Sequence, residues 1–392
     1  MFPRSDLPVK EQLGTRAGDA GRPAGRGVTL CLCGDVMTGR GIDQILPHPG
    51  NPLLHEPGMP SARCYVDRAE RQNGSLAGTV GFDYPWGNLP SAIATFRPAL
   101  RLANFESVIS ASDDAWPGKR YHFRMHPDNA PCLRAMAFDC LSLANNHILD
   151  WGPSGLSDTL SSLQGMAILA PGAGRDGAEA ARPAIIELGS GGRIVVFAFG
   201  MTSSHIPVDW AAGDERPGVN LLGDFSDRTL TDLADAIGVI RKAGDLVVLS
   251  IHWGDNWGFD IPPEQRNFAR RLIDEAGVDI VHGHSSHHVK GLEVHHGKLI
   301  IHGSGDLLND YEAIGDRSHF MHNQSLVYLP VLDSGNGQLV SLTMIPTRIQ
   351  SLRVSVANDQ ETTDMQDLLN LECRELGTRV ARTDAGYLTL RW

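Results

Sequence analysis

This sequence has little of what would place it outside the ordinary globular classes. No apolar run reaches the roughly 18 residues that a membrane-spanning helix needs. Lys and Arg number 34 against 46 Asp and Glu, a formal net charge of −12, and no basic run carries interleaved aromatics. That balance argues against a dedicated nucleic-acid binder. Cysteine is sparse: Cys31, Cys33, Cys64, Cys132, Cys140 and Cys373 are scattered, mostly inside apolar runs. Such usage predicts buried thiols in a reducing compartment rather than a disulfide frame. The Cys31-Leu32-Cys33 triplet, read as a strand, is expected to send its sulfurs to opposite faces, which speaks against a zinc knuckle. Residues 1–27 are rich in Gly, Arg, Pro and Asp and lack an apolar core, so they are expected to form a disordered lead-in rather than a secretory signal. A cytoplasmic location without a membrane anchor is the expectation.

What is present is a core-forming composition, 42% hydrophobic and 20% charged over 392 residues, ample for one large domain or two. Apolar runs at 28–33, 99–103, 139–144, 193–199, 246–251, 278–281 and 298–301 read as strands, several of them continuously apolar as in buried sheets. Helical patterns at 88–96, 127–137, 155–164, 230–242, 263–275 and 363–376 alternate with them, and Pro262-Pro263 sits where a helix favours proline. Asp333-Ser334-Gly335-Asn336-Gly337 supplies turn chemistry for a hairpin within 326–349. Residues 46–85 are rich in Pro, Gly and Asn with little periodicity, and read as a lid-like insertion covering a site. The expectation is a single mixed α/β domain over 28–392.

Chemistry concentrates at the ends of the apolar runs. Seven of the 16 histidines fall between His282 and His302, close to Glu293, Asp306 and Asp310. Earlier runs stop at Gly34-Asp35, Asn104-Phe105-Glu106, Asn145-Asn146-His147 and His252-Trp253-Gly254. Open α/β sheets place their ligands at the carboxyl ends of strands, so these groups are expected to converge. Taken singly, Asp35, Asn146 and His147 also read as helix caps, and His252 as a hydrogen-bonded core histidine. His288, His295 and His296 read as solvated or supporting groups.

In this order the strand ends resemble the metallophosphatase superfamily, and most closely its CapA-like branch, named for poly-γ-glutamate capsule synthesis. The matching pieces are Gly34-Asp35-Val36-Met37, Asn104-Phe105-Glu106, the run from Leu143 through Asn145-Asn146-His147 to Asp150, His252-Trp253-Gly254, and the segment from Gly283 to Glu293. The resemblance implies an α/β fold, a metallophosphatase-like four-layer αββα sandwich of mixed sheets. It also implies divalent metals held by N and O ligands. Departures are visible: Met37 stands where a phosphatase has His, Ser285-Ser286-His287 replaces His-Pro-His, and Glu106 stands in place of a bridging Asp. One metal is then expected at Asn146, His252 and His287, with a full two-metal centre under-supplied.

A narrower resemblance, within the same branch, is to a peptide epimerase of lasso-peptide biosynthesis that inverts a C-terminal tryptophan. It implies a ribosomally made precursor peptide as partner and side-chain acid/base catalysis with no metal required. Asp35 and His319 would exchange the Cα proton on opposite faces, with His147 as a further catalytic group. Asn104, Glu106, Asn146, His252 and Trp253 would contact the substrate, Trp253 together with Trp257 and Phe259 lining an aromatic subsite. The alternatives are a metal-dependent phosphoesterase or related hydrolase, and a non-catalytic component of capsule assembly.

Overall fold

The computed structural model describes residues 27–76, 78–189, 191–312 and 320–392. The expected lead-in, apart from Gly27, and the proposed base His319 therefore lie outside the described residues. The chain lays down β1 (Gly27–Val36), β2 (Leu100–Phe105) and β3 (Cys140–Ser142) side by side and parallel. It then crosses to a second sheet built from β4 (Arg193–Met201), β5 (Leu246–His252), β6 (Ile280–His284), β7 (Leu292–His295) and β8 (Lys298–Ile301). Here β4, β5, β6 and β8 are parallel, and β7 folds back antiparallel on β8. The chain returns to the first sheet with β9 (Asp306–Leu308), β10 (Gln324–Asp333), β11 (Leu339–Ile349), β12 (Arg379–Arg382) and β13 (Leu388–Arg391). The first sheet runs β12-β13-β11-β10-β1-β2-β3, with β9 parallel to the end of β1.

Strand periodicity explains the layering. Alternate residues point to opposite faces, so Leu30, Leu32, Leu100 and Leu102 of the first sheet meet Ile194, Val196, Leu246, Val248 and Ile280 of the second. The intervening Val195, Phe197, Val247 and Leu249 face outward onto Leu230, Leu233 and Ile237 of the helix Asp227–Ile240 and Phe268 and Leu272 of the helix Pro263–Asp274. On the other side Cys31, Cys33, Ala103 and Leu141 pack on Leu156, Leu160 and Leu163 of the helix Gly152–Gly165. The result is helix, sheet, sheet, helix: the αββα sandwich. Cys31 and Cys33 share one face, their sulfurs 3.8 Å apart. The expectation of opposite faces was wrong, because positions i and i+2 of a strand lie on the same side.

The stretch 46–85 carries more order than its composition implied. It holds a hairpin of Leu53–Glu56 with Met59–Ser61 and a helix Arg63–Asn73. Arg40 ties it to the sandwich, pairing with Asp310, with Glu56 at 3.1 Å and with the Tyr65 hydroxyl at 2.8 Å, all buried. Polarity of sequence hid this segment because a buried ion-pair network shares its anchoring with a few scattered apolar side chains, among them Leu46, Ala69 and Val80. Among the described residues no helix is long and apolar enough to cross a membrane.

Leu102 is fully buried between the sheets. Leu102→Ala is expected to destabilise the fold by about 2–5 kcal/mol, whereas Val239→Ala, at an 84% exposed position, should stay within about 0.5 kcal/mol. Urea unfolding of both variants checks this; equal midpoints would contradict the inter-sheet core.

Candidate metal and acid–base centre

The carboxyl ends of the parallel strands in both sheets meet at one junction. In the first sheet Asp35 is in register with Asn104 on one side and Asp306 on the other. In the second, His252 is in register with His284. Gly34 permits the junction: a Cβ there would come within 1.7 Å of the Gly305 carbonyl, and the Asp35 amide donates to that carbonyl at 3.0 Å. Gly34 before Asp35 is thus a steric requirement of this close approach. Ser285 bends the chain back after β6 with φ +103, a region that costs a non-glycine residue about 1–3 kcal/mol. The bend aims the Ser285 N–H at Asp35 Oδ2, 3.2 Å away.

Asp35 is the hub. Its Oδ1 accepts from Asn104 Nδ2 at 2.8 Å, which lies 3.2 Å from Glu106 Oε2. Two ligand groups share this one carboxylate: Asp35 with His252 and His284, and Asp35 with His287 and Asp306. Within each group the ligand atoms lie within 4.8 Å of one another. His287 Nδ1 is 3.1 Å from Asp306 Oδ1, and His252 Nδ1 is 2.8 Å from His284 Nδ1. Asn146 Oδ1 sits 3.1 Å from His252 Nε2. Burial, reinforced by the charge of Asp306, pushes the Asp35 carboxyl up to about 7. Burial and the charges of Asp35 and Asp306 push Glu106 upward as well. Burial holds His252 and His284 well below the usual imidazole range, so both are neutral. Anionic and neutral oxygen and nitrogen donors around an under-compensated buried charge fit a divalent cation of the Mn, Fe or Zn class.

His147 forms a second unit beside this hub. Its ring stacks on Phe123 at 3.9 Å, and Nδ1 lies 2.7 Å from Asp150 Oδ2, a distance that requires a shared proton. Lys119 pairs with the other Asp150 oxygen and with the Asn146 carbonyl. Nε2 is left facing Glu106 Oε1, 3.7 Å away. The floor of the site is closed, Asp35, Asn104 and His284 being 0% exposed, while Asn146, His147 and His287 keep 5–7%. Access from solvent is therefore at the rim formed by those last residues.

A hydrogen-bond chain sets the histidine tautomers. The Cys33 carbonyl can only accept, so His282 donates to it through Nε2 at 3.0 Å. Burial drops His282 to about 4; the ring is neutral and its Nδ1 must accept. Ser250 Oγ, 3.2 Å from that nitrogen, donates to it and in turn accepts from His284 Nε2 at 2.9 Å. His284 consequently presents a bare Nδ1 toward His252 and Asp35, the form a ligand or base requires.

Of the residues picked from sequence, the structure brings together Asp35, Asn104, Glu106, Asn146, His147, His252 and His287. His252 and His287 fall in two different ligand groups joined by Asp35, with Asn146 beside His252, and His284 and Asp306 complete those groups. It also moves Trp253 away. That ring is 2% exposed, packs on Phe225 and donates to the His302 carbonyl, so it belongs to the helix-facing core and not to a substrate surface. Trp257 and Phe259, partly exposed, do flank His287 and His288. His284 and Asp306 carried a readable signal, Gly-His and Gly-Asp steps after apolar strands. Lys119 lies in an irregular loop and had none.

Two facing mixed sheets with outer helices, and Asp, Asn and His at their strand ends, define a CapA-like sandwich of the metallophosphatase type. The chain matches the family model described as Bacterial capsule synthesis protein PGA_cap over residues 29–311, and it belongs to that family. It is 42% identical over 354 residues to a Mycobacterium tuberculosis protein named "Probable polyglutamine synthesis accessory protein", covering 90% of this chain and 93% of the relative. It is 26% identical over 283 residues to "PGA biosynthesis protein CapA" of Bacillus subtilis, covering 72% and 63%. With "Capsule biosynthesis protein CapA" of Bacillus anthracis it shares 24% over 323 residues, covering 82% and 68%.

At neutral pH, nitrogen-15 spectra of the metal-free protein should show His282 and His284 as Nε2–H tautomers. Ser250→Ala should leave His282 so and turn His284 into a mixture, with Ser250→Thr restoring the single form. An unchanged His284 signal in Ser250→Ala would remove the hydroxyl from the chain.

Proposed function

We propose that this protein is an accessory enzyme in the synthesis of a glutamate- or glutamine-based polymer, acting there as a divalent-cation-dependent hydrolase. The observation that supports the chemistry is the sharing of Asp35 between two His/Asp ligand groups; the names of its relatives support the polymer. Asp35, His252 and His284 would hold one cation and Asp35, His287 and Asp306 a second, with Asn146 and Asn104 alongside. Cations held there would supply Lewis-acid chemistry, polarising a substrate oxygen and making water more acidic. The protein's own groups do the rest. Asn104 orients the shared carboxylate, and Asp150 with Lys119 holds the His147 ring so that its Nε2, bare in the neutral ring, can accept a proton from the attacking water. The rim position of Asn146 and His147 fits that role.

A second reading uses the same residues without metal, as an epimerase of a peptide Cα centre, in its narrowest form the C-terminal Trp of a lasso-peptide precursor. What favours it is the Asp35 carboxyl, lifted to about 7 and flanked by neutral imidazoles, a proton acceptor poised near neutrality. Its opposing partner, His319, is outside the described residues.

One preparation separates the two. Chelator-stripped protein is compared with Mn²⁺-reloaded protein, on a phosphodiester and on γ-linked and α-linked glutamyl oligomers, and on peptides in deuterated water. Cleavage that appears only on reloading, and falls in Asp35→Asn by more than the roughly 10–100-fold lost with an outer ligand partner, is the expected result. Deuterium uptake at one Cα by the stripped protein, without cleavage, would replace the hydrolase by the epimerase. Neither activity on any of these substrates would leave a non-catalytic role in polymer assembly.

A further inference from the structure

A second group of metal-ligand type lies on the other edge of the second sheet. Asp274 is the last residue of the helix Pro263–Asp274, His295 ends β7, and His296 begins the turn into β8. Asp274 Oδ2 lies 2.8 Å from His295 Nε2, and its Oδ1 lies 2.8 Å from His296 Nδ1. One ligand atom from each of the three residues falls within 4.8 Å of the others, and the two imidazole centroids are 4.1 Å apart.

The placement is far from Asp35. Leu299 of β8 pairs with Ile280 at the start of β6, so the His296 turn sits at the amino edge of these parallel strands. His284 ends β6 at the carboxyl edge, on the order of 13 Å away at about 3.3 Å per residue. This group can therefore belong to neither of the two ligand sets around Asp35.

The arrangement is held from two rigid elements. The turn puts His296 at φ +47 and Gly297 at φ +76, the backbone of a tight two-residue hairpin in which Asn or Gly is the common first residue. The His295–Lys298 register closes it. Its outer side is pinned by Leu339 N–H donating to the Gly297 carbonyl at 2.8 Å and by Gln338 Nε2 donating to the His296 carbonyl at 3.1 Å. On the other side the ligand carboxylate stands at the negative end of the helix Pro263–Asp274, where a cation is favoured. The side chains of His295, Asp274 and His296 are 19%, 37% and 74% exposed, so solvent or a donor atom from outside can complete a coordination shell.

We propose that Asp274, His295 and His296 form a separate, solvent-accessible site for a divalent transition-metal ion of the Zn²⁺, Ni²⁺ or Co²⁺ class. Two imidazoles with one carboxylate select such ions over Mg²⁺ and Ca²⁺, which prefer all-oxygen shells. On loading, the ring nitrogens that now face Asp274 would turn their lone pairs to the metal, any ring proton sitting on the opposite nitrogen. The competing role for the same three residues is a plain hydrogen-bonded staple between helix and turn.

Ni²⁺ titration calorimetry on the chelator-stripped full chain decides between them. The wild type is expected to bind one more equivalent of Ni²⁺ than the double variant His295→Gln/His296→Gln. Asp35→Asn, which strikes the buried centre, should keep that equivalent, and Asp274→Asn should weaken it at least tenfold. Circular dichroism of each variant confirms the fold, and Mg²⁺ in place of Ni²⁺ should give no heat assignable to this site. The same number of Ni²⁺ ions bound with the same affinity by wild type and double variant would overturn the proposal, leaving the staple.

Discussion

Burying carboxyl groups without a matching cation among the described residues is the constraint around which this molecule is arranged. Asp35, Glu106 and Asp306 are all at most 1% exposed, and a buried unpaired charge is costly. The neighbouring ammonium, Lys119, is committed to Asp150. Relief comes instead from amide donors, Asn104 Nδ2 and the Ser285 N–H, and from the upward shift of the Asp35 and Glu106 carboxyls, which lets them hold protons rather than charge. The close crossing at Gly34 and the strained turn at Ser285 serve the same end.

The two sheets divide the work. The first supplies acids and an amide from β1, β2 and β9; the second supplies imidazoles from β5, β6 and the turn beyond. Neither sheet carries a complete ligand set alone. Only their face-to-face packing, through Leu30, Leu102, Val196 and Val248, brings the carboxyl edges together. The apolar core thus fixes the chemistry as well as the fold. Arg40 extends the arrangement outward, joining the 46–85 segment to Asp310, four residues beyond the Asp306 ligand.

Within the capsule-synthesis family this chain departs from the phosphatase pattern at Met37, Glu106 and Ser285-Ser286. The structure shows how the departures are accommodated. Met37 is buried at 2% exposure, its backbone N–H donating to the Leu308 carbonyl beyond Asp306. Glu106 reaches the hub through Asn104. The two serines become part of the turn that separates His284 from His287, so each imidazole enters a different ligand group.

Much of the sandwich was legible in the chain itself. Apolar runs of strand length, the helix-opening Pro262-Pro263 and the hairpin turn at 333–337 are local features, and local features are written in composition and period. The same holds for Asp35, Asn104, Asn146, His147 and His252, which stand at strand ends where the period breaks. What the sequence could not show is which ends meet. Pairing His284 with Asp35 joins residues 249 apart, and the partnership of Lys119 with Asp150 arises in a loop without periodicity. Trp253 illustrates the limit: its place beside His252 in sequence implied a place in the site, yet successive strand residues face opposite ways, and the ring went to the helices. Identity along the chain determined the secondary structure and the kinds of donor available. Only tertiary packing decided which donors share Asp35, because hydrogen bonds and ligand contacts depend on distances that no spacing in sequence encodes.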